Sequence, residues 1–316
     1  MLPVPLFCLF AALMVNPTHF DLHSLRVFLT VAETGSLTRA AERSHMTLSA
    51  ISKRMADLER ATDCALLVRH PRGVELTPAG HGLLNHALQV LDQVNRMASE
   101  MSDFAVGVRG HVRIWANTSA IVQFLPTDLQ RFLADNPSVK VTLEERLSGE
   151  VIEALGAGRT DLGVFADNVP APMVDKRVYR RDRLIILVPA DHALAGAKEI
   201  SFADTLEYDY VALNAGSSLL LRMMDAALAA EKPLRLRIQM RSFDGICRMI
   251  EAGLGIGMLP AAAVRPEILA AGLRAVQLTD TWSERTLWIG AKDAKALTPE
   301  AARLFDFMAA MPAAAG

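Results

Sequence analysis

Cysteine is scarce: Cys8, Cys64 and Cys247 lie far apart in a chain of 316 residues. That spacing excludes a disulfide scaffold, and no Cys-x-x-Cys pair is present for zinc or dithiol chemistry, so a reducing cytoplasm is the expected compartment. An excess of one charge is also lacking. The formal net charge is -2, so the molecule is no polycation and any contact with nucleic acid has to come from a local patch. A long hydrophobic run is missing too. Residues 2–15 are strongly apolar but fall short of the about 20 residues that span a bilayer, and they contain Pro3 and Pro5. A secretory leader wants an early basic segment, whereas the first Lys or Arg is Arg26. Residues 1–19 are expected to be a poorly ordered extension, with Met14 an alternative start. Gly-x-Ser-x-Gly, His-Glu-x-x-His and the P-loop are absent, so the chain is expected not to be an enzyme and to use no cofactor and no metal. Gly253, Gly255 and Gly257 resemble a phosphate loop only superficially, because their spacing fails the dinucleotide-binding pattern.

Hydrophobic residues make up 51% of the chain and charged residues 22%, enough apolar side chains to bury two or three cores. Residues 20–78 carry short helical patterns separated by polar turns. Residues 79–107 have the spacing of one long helix, with an apolar stripe through Leu83, Leu84, Ala87, Leu88, Leu91, Val94, Met97, Ala98 and Met101. Thr77 and Pro78 offer its N-cap and first turn. With no second element of its own to bury against, this helix is expected to pair with another copy. From residue 108 to 316, strands alternate with helices. Expected strands cover 111–115, 139–145, 161–165, 184–188, 210–213, 236–240 and 256–259, with helices at 120–134, 148–156, 219–230 and 243–252. This alternation predicts an α/β fold with mostly parallel strands.

The segment Ser36–Met55 reads SLTRAAERSHMTLSAISKRM. Ala40 and Ala41 are small enough for a second helix to cross closely. A break at Ser44–Met46 follows, and Thr47 can cap a second helix whose Ile51, Met55 and Leu58 form a core stripe. This is the plan of a helix-turn-helix, in which the second helix enters the major groove. From Arg39 to Arg72 there are seven basic and four acidic side chains, a local surplus of three. His70-Pro71-Arg72-Gly73 is read as the tip of a hairpin wing that holds Arg72 toward phosphates or a minor groove.

These residues resemble the N-terminal domain of LysR-type transcriptional regulators. The match runs through the Ala40-Ala41 pair, the turn, Leu58-Glu59, and Leu76-Thr77-Pro78-Ala79-Gly80. The resemblance implies an all-α winged helix-turn-helix, a long linker helix, and a two-lobed effector domain similar to type 2 periplasmic binding proteins. It implies as partners double-stranded promoter DNA, a small-molecule effector, further copies of the chain as homodimer or homotetramer, and RNA polymerase, with no membrane. Thr38, Arg39, Thr47, Leu48, Ser49, Ser52, Lys53, Arg54 and Arg72 are the candidate DNA contacts. The sequence departs from the family at Ser44 and Asp63, where leucine and glycine are usual, and at Leu67, where phenylalanine is. Leu48 stands at a position usually held by glutamine. It either touches a thymine methyl or extends the core stripe by one turn.

In a two-lobed α/β domain, small molecules bind at the carboxyl ends of strands. Two polar strand-to-helix junctions fit, at residues 116–119 and 214–218, and free amides at helix starts favour a carboxylate or similar anion. The resemblance places Thr118, Ser119, Ser217 and Ser218 on the two sides of an effector pocket, with Phe165, Asp167, Ser242 and Phe243 as further lining. Lobe I is expected to comprise 108–188 and 289–316 and lobe II 189–288, with crossovers near Val188-Pro189 and Trp288–Gly290 acting as a hinge. The competing reading, a secreted solute-binding protein, leaves residues 20–104 without a role.

Overall fold

The computed structural model describes residues 20–105 and 110–311; the expectations for residues 1–19 and for the helix end at Gly107 lie outside them. By contact, the chain divides into two compact units at Ser102/Asp103.

The first unit opens with three helices, α1 (Leu22–Thr34), α2 (Leu37–Arg43) and α3 (Leu48–Thr62). Each starts on a side-chain cap: Asp21, Ser36 and Thr47 accept amides of the first turn. Ala40 and Ala41 are buried against Val27, Phe28, Val31, Ile51, Met55 and Leu58, so the small pair does bring α2 close to its neighbours. β1 (Leu67–His70) and β2 (Gly73–Leu76) form the antiparallel wing. Gly73 has φ +144°, and a Cβ there would lie 2.3 Å from the Gly35 carbonyl; the bare backbone lets Val74 N–H donate to that carbonyl at 3.0 Å. Asp63 ends α3 in the left-handed region at φ +50°, so the site where the family pattern has glycine still demands a glycine-like backbone.

α4 (Pro78–Ala105) is about 42 Å long at 1.5 Å per residue. Thr77 Oγ1 accepts the Gly80 amide at 2.9 Å. The helix is not without a partner of its own: Ala87 and Leu91 are buried against Leu25 of α1. Leu88 and Val90 on the same turn, and Met97 and Met101 further along, remain exposed.

The second unit begins with β3 (Gly110–Ala116), α5 (Thr118–Gln123), α6 (Leu125–Asp135), β4 (Val139–Glu145), α7 (Ser148–Gly156) and β5 (Leu162–Ala166). The single helix expected at 120–134 is broken at Phe124, because Pro126 has no amide to give and its ring collides with the preceding turn. β6 (Asp175–Pro189) is a long strand. It is followed by β7 (Glu199–Ile200), α8 (Phe202–Thr205), β8 (Tyr210–Leu213), α9 (Ser218–Ala229), β9 (Leu236–Met240), α10 (Phe243–Glu251), β10 (Gly257–Pro260), α11 (Pro266–Ala270), β11 (Leu273–Leu278), β12 (Glu284–Ala291) and α12 (Pro299–Ala310).

The strand order β4-β3-β5-β12-β6-β11-β7 runs through both lobes, with β10 also on β6 and β8-β9 as a separate pair. β3 pairs in parallel with β4 and β5, but β12 is antiparallel to β5 and β6, and β10 and β11 are antiparallel to β6. The sheet is therefore mixed rather than mostly parallel, since β6 serves both lobes and returning strands lie against it. Its residues Asp175–Arg183 pair with β12, and Leu184–Pro189 pair with β10 or β11. The chain thus changes lobe at Arg183/Leu184 and comes back at Glu284, earlier on both counts than the crossovers expected at Val188-Pro189 and Trp288–Gly290. One lobe comprises 110–183 and 284–311, the other 184–283.

Two cores result. α5, α6 and α12 cover one face of the first lobe's sheet through Leu125, Phe132, Leu304 and Phe305, and α7 covers the other. In the second lobe, β6, β8, β10, α9 and α10 surround Ile186, Val211, Met223, Ile246 and Ile250. Gly255, at φ +149°, passes Asp209 so closely that a Cβ would sit 2.4 Å from its carbonyl oxygen. The glycine cluster is a tight helix-to-strand turn, not a phosphate cradle.

Candidate functional site

On the first unit, Thr47, Leu48, Ser49 and Lys53 form an exposed surface at the start of α3, and Thr38, Arg39 and Arg72 are exposed as well. Ser52 is half-buried. Thr47 Oγ1 accepts the Ala50 amide at 3.2 Å and lies 3.0 Å from Ser49 Oγ. Lys53 and Arg72 carry no ion pair among the described residues, and Arg72 occupies the two-residue tip of the wing.

Two of the candidate cations are spoken for within the fold. Arg54 donates to Ser24 Oγ at 2.9 Å and lies 3.8 Å from Asp21, tying α3 to the N-terminus of α1. Hydrogen bonds from the Ser24 hydroxyl and amide hold the Asp21 carboxyl below the usual carboxylate range. Arg39 donates to the Thr34 carbonyl at the end of α1. Leu48 is 48% exposed and does not pack in the core that holds Ile51 and Met55. It does not extend the core stripe.

In the second unit, a cleft of about 290 Å³ opens between the lobes. The first lobe contributes Thr118 and Val122 of α5 and Glu145 at the end of β4; the second contributes Arg241, Ser242, Phe243, Asp244, Ala263, Arg265 and Ile268. Of the sequence candidates, Thr118, Ser242 and Phe243 meet here. The others lie elsewhere. Phe165 is buried beneath α7 with Val151, Leu155 and Ala171, because strand alternation turns it toward the core. Asp167 pairs with Arg222 of α9 and accepts the Thr286 amide at 2.9 Å, so it joins the lobes and does not line the cleft. Ser119 is buried at the start of α5. Ser217 caps α9 through the Leu220 amide, and the Ser218 carbonyl accepts from Asn168 Nδ2 at 2.8 Å.

Sequence reasoning missed Arg241, Arg265 and Glu145, which decide the cleft's charge. Glu145 accepts the Thr118 hydroxyl at 2.5 Å. Asp244 is paired with Arg248 at 3.0 Å, while Arg241 and Arg265 have no ion pair among the described residues. The lining thus holds two guanidiniums and one carboxylate, Glu145, with no ion pair among the described residues, beside the N-terminus of α10, whose Gly245 amide is capped by Ser242 Oγ at 3.3 Å. Such an arrangement attracts a small anion. The only sequence signal for the arginines was their position flanking apolar segments, which any surface arginine shares. Among the described residues no group of three or more His, Cys, Asp or Glu could hold a metal, and no helix is long and apolar enough to cross a membrane.

Comparison with known proteins covers both units. The family model for the bacterial regulatory helix-turn-helix protein, lysR family, matches residues 22–81, and that for the LysR substrate binding domain matches residues 105–312. The uncharacterized HTH-type transcriptional regulator YbhD of Escherichia coli K12 is 26% identical over 287 residues, covering 90% of each chain. The crystal structure of full-length CbnR complexed with its target DNA superposes with a TM-score of 0.72 at 21% identity, covering 92% of this chain and 99% of that one. The regulatory domain of Synechocystis PCC6803 CcmR in complex with 2-PG matches with a TM-score of 0.59 at 20% identity, covering 64% of this chain and 97% of that one. With its DNA-reading head and its two-lobed domain each matched, the second over more than half of its length, the chain belongs to the LysR-type transcriptional regulators.

Proposed function

We propose that this regulator binds double-stranded promoter DNA through the N-terminal turn of α3 and the Arg72 wing, and that a small anion held between its lobes controls that binding. The observation that carries the reading is one chain with two separate exposed cationic sites. Lys53 and Arg72 sit on a helix-turn-helix, and Arg241 and Arg265 line an open cleft of about 290 Å³ between the lobes. The DNA contacts in this reading are Thr38, Thr47, Leu48, Ser49, Ser52, Lys53 and Arg72. Arg39 and Arg54 brace the helices that present them. The effector contacts are Thr118, Arg241, Ser242, Phe243 and Arg265.

The exposed Leu88, Val90, Met97 and Met101 along α4 support assembly as a homodimer or a tetramer. An anion that bridges Thr118 and the arginines draws the lobes together, and the two strand crossings at Arg183/Leu184 and Glu284 act as the hinge. Only a ligand that prefers one lobe angle shifts the regulator's state. The protein works in the cytoplasm by binding alone and contacts RNA polymerase at the promoter. It is not an enzyme. CbnR was captured on its target DNA and CcmR with 2-PG, which is consistent with both halves of the reading.

Gel-shift titration of the purified protein against fragments upstream of its own and adjoining genes tests the DNA half. Binding is expected to weaken steeply with salt, with a slope of about −0.9 per neutralised phosphate. Binding to no fragment, or binding indifferent to salt, overturns the reading.

A further inference from the structure

Leu48 occupies the first position of α3, three residues before Ile51 on the stripe that continues through Met55 and Leu58. Those three are at most 1% exposed, yet Leu48 is 48% exposed. The spacing alone would bury it. The structure leaves it beyond the edge of the core, on the turn that begins the recognition helix. Its neighbours are polar: the Thr47 hydroxyl accepts the Ala50 amide and lies 3.0 Å from Ser49 Oγ. The two hydroxyls bond to each other, and Leu48, which lies between them in sequence, is an exposed apolar side chain on that turn. Lys53 stands exposed on the next turn.

Leucine has no donor or acceptor, so it satisfies neither the N7 and O6 of guanine nor the amino groups of adenine and cytosine. Set against those edges in a closed interface, it leaves them unpaired. The hydrocarbon that the major groove offers is the 5-methyl group of thymine.

We propose that Leu48 is a specificity-determining residue that packs on a thymine methyl in each operator half-site, selecting an A·T pair at that step. The proposal rests on the reading of α3 as the DNA-reading helix. It replaces a glutamine-type hydrogen-bonded readout of adenine with an apolar readout of thymine.

The test uses the full-length protein and an operator fragment located by footprinting upstream of its own gene. Each thymine is replaced in turn by deoxyuridine, which removes the methyl and keeps the base pair. One thymine step in each half-site is expected to lose about fourfold in affinity, the worth of one buried methyl. Leu48→Ala is expected to bind more weakly and to be indifferent to deoxyuridine at that step. Leu48→Gln is expected to shift the preference there toward adenine. A flat deoxyuridine scan with salt-sensitive binding intact overturns the methyl contact alone. A sensitivity that persists in Leu48→Ala does the same, because another side chain then reads the methyl. Loss of salt-sensitive binding by the wild-type protein to every operator fragment overturns the reading of α3 and this proposal with it.

Discussion

The two binding regions of this protein are built in opposite ways. The proposed DNA-reading surface is local: Thr47 caps α3, Leu48, Ser49, Ser52 and Lys53 lie on its first two turns, and a short hairpin adds Arg72. The cleft is assembled from distant stretches, with Thr118 and Glu145 on one lobe and Arg241, Ser242 and Arg265 on the other. A helix start can be recognised from its cap and its stripe. A cleft depends on how strands cross, which no short window of sequence reveals. The treatment of charge differs as well. In the first unit, basic side chains are divided between fold and surface, with Arg54 and Arg39 bonded inward and Lys53 and Arg72 left exposed. In the second, Arg180 and Arg285 are buried in ion pairs with Asp128 and Asp182, while Arg241 and Arg265 are left exposed beside the cleft.

Breaking the buried pair between β6 and β12 is expected to have the largest effect. Arg285 and Asp182 form a bidentate pair at 2.5 and 2.6 Å, 1% and 3% exposed, where the strands cross between lobes. Arg285→Ala strands a buried carboxylate and is expected to cost about 3–5 kcal/mol in urea denaturation of the second unit's fluorescence. Replacing Asp182 and Arg285 together by apolar residues recovers part of that loss. A change below about 1 kcal/mol for Arg285→Ala would show that the pair does not secure the crossing.

The cleft is next. Each charge-assisted hydrogen bond contributes about 1.5–3 kcal/mol, so Arg241→Ala with Arg265→Ala is expected to weaken anion binding about a hundredfold or more. Thermal-shift titration with inorganic phosphate, sulfate and small organic acids reads this. DNA binding without the anion should stay at the wild-type level. An undiminished shift would move the anion site elsewhere.

A smaller gain is expected at Asp63. Its left-handed backbone at φ +50° strains any side chain, so Asp63→Gly should stabilise the first unit by about 0.5–1 kcal/mol in thermal melts, against the usual direction of glycine substitutions. The smallest effect concerns thiols. Burial pushes the Cys247 thiol up to about 11, which leaves it protonated at pH 8, whereas Cys64 is exposed. Cys247→Ser should leave the fast phase of thiol labelling at pH 8 unchanged, and Cys64→Ser should remove part of it.

Most of the first unit was legible because capping residues, the Ala40-Ala41 pair and the Pro71-Arg72 turn each constrain the backbone within a few residues. Several strands of the second unit, among them 139–145, 210–213 and 236–240, were legible from short β-rich runs between turns. The first half of β6 was not: Asp175–Arg183 is dense in charge, and it is held in the sheet by pairing with β12 and by the buried Tyr179–Asp128–Arg180 network. The family resemblance put Phe165 in the cleft lining, but its face of the sheet is covered by α7. Arg241 and Arg265 escaped notice because nothing local distinguishes a guanidinium beside a cleft from one in open solvent.

The most direct test of the claim that α3 reads the duplex is a salt-titrated comparison of wild type with the Ser52→Ala, Lys53→Ala double variant on the same upstream fragment. Affinity is expected to fall at least tenfold and the salt dependence to flatten by about one phosphate per subunit, with the melting temperature held. Equal affinity and an equal salt slope in the two proteins would contradict it.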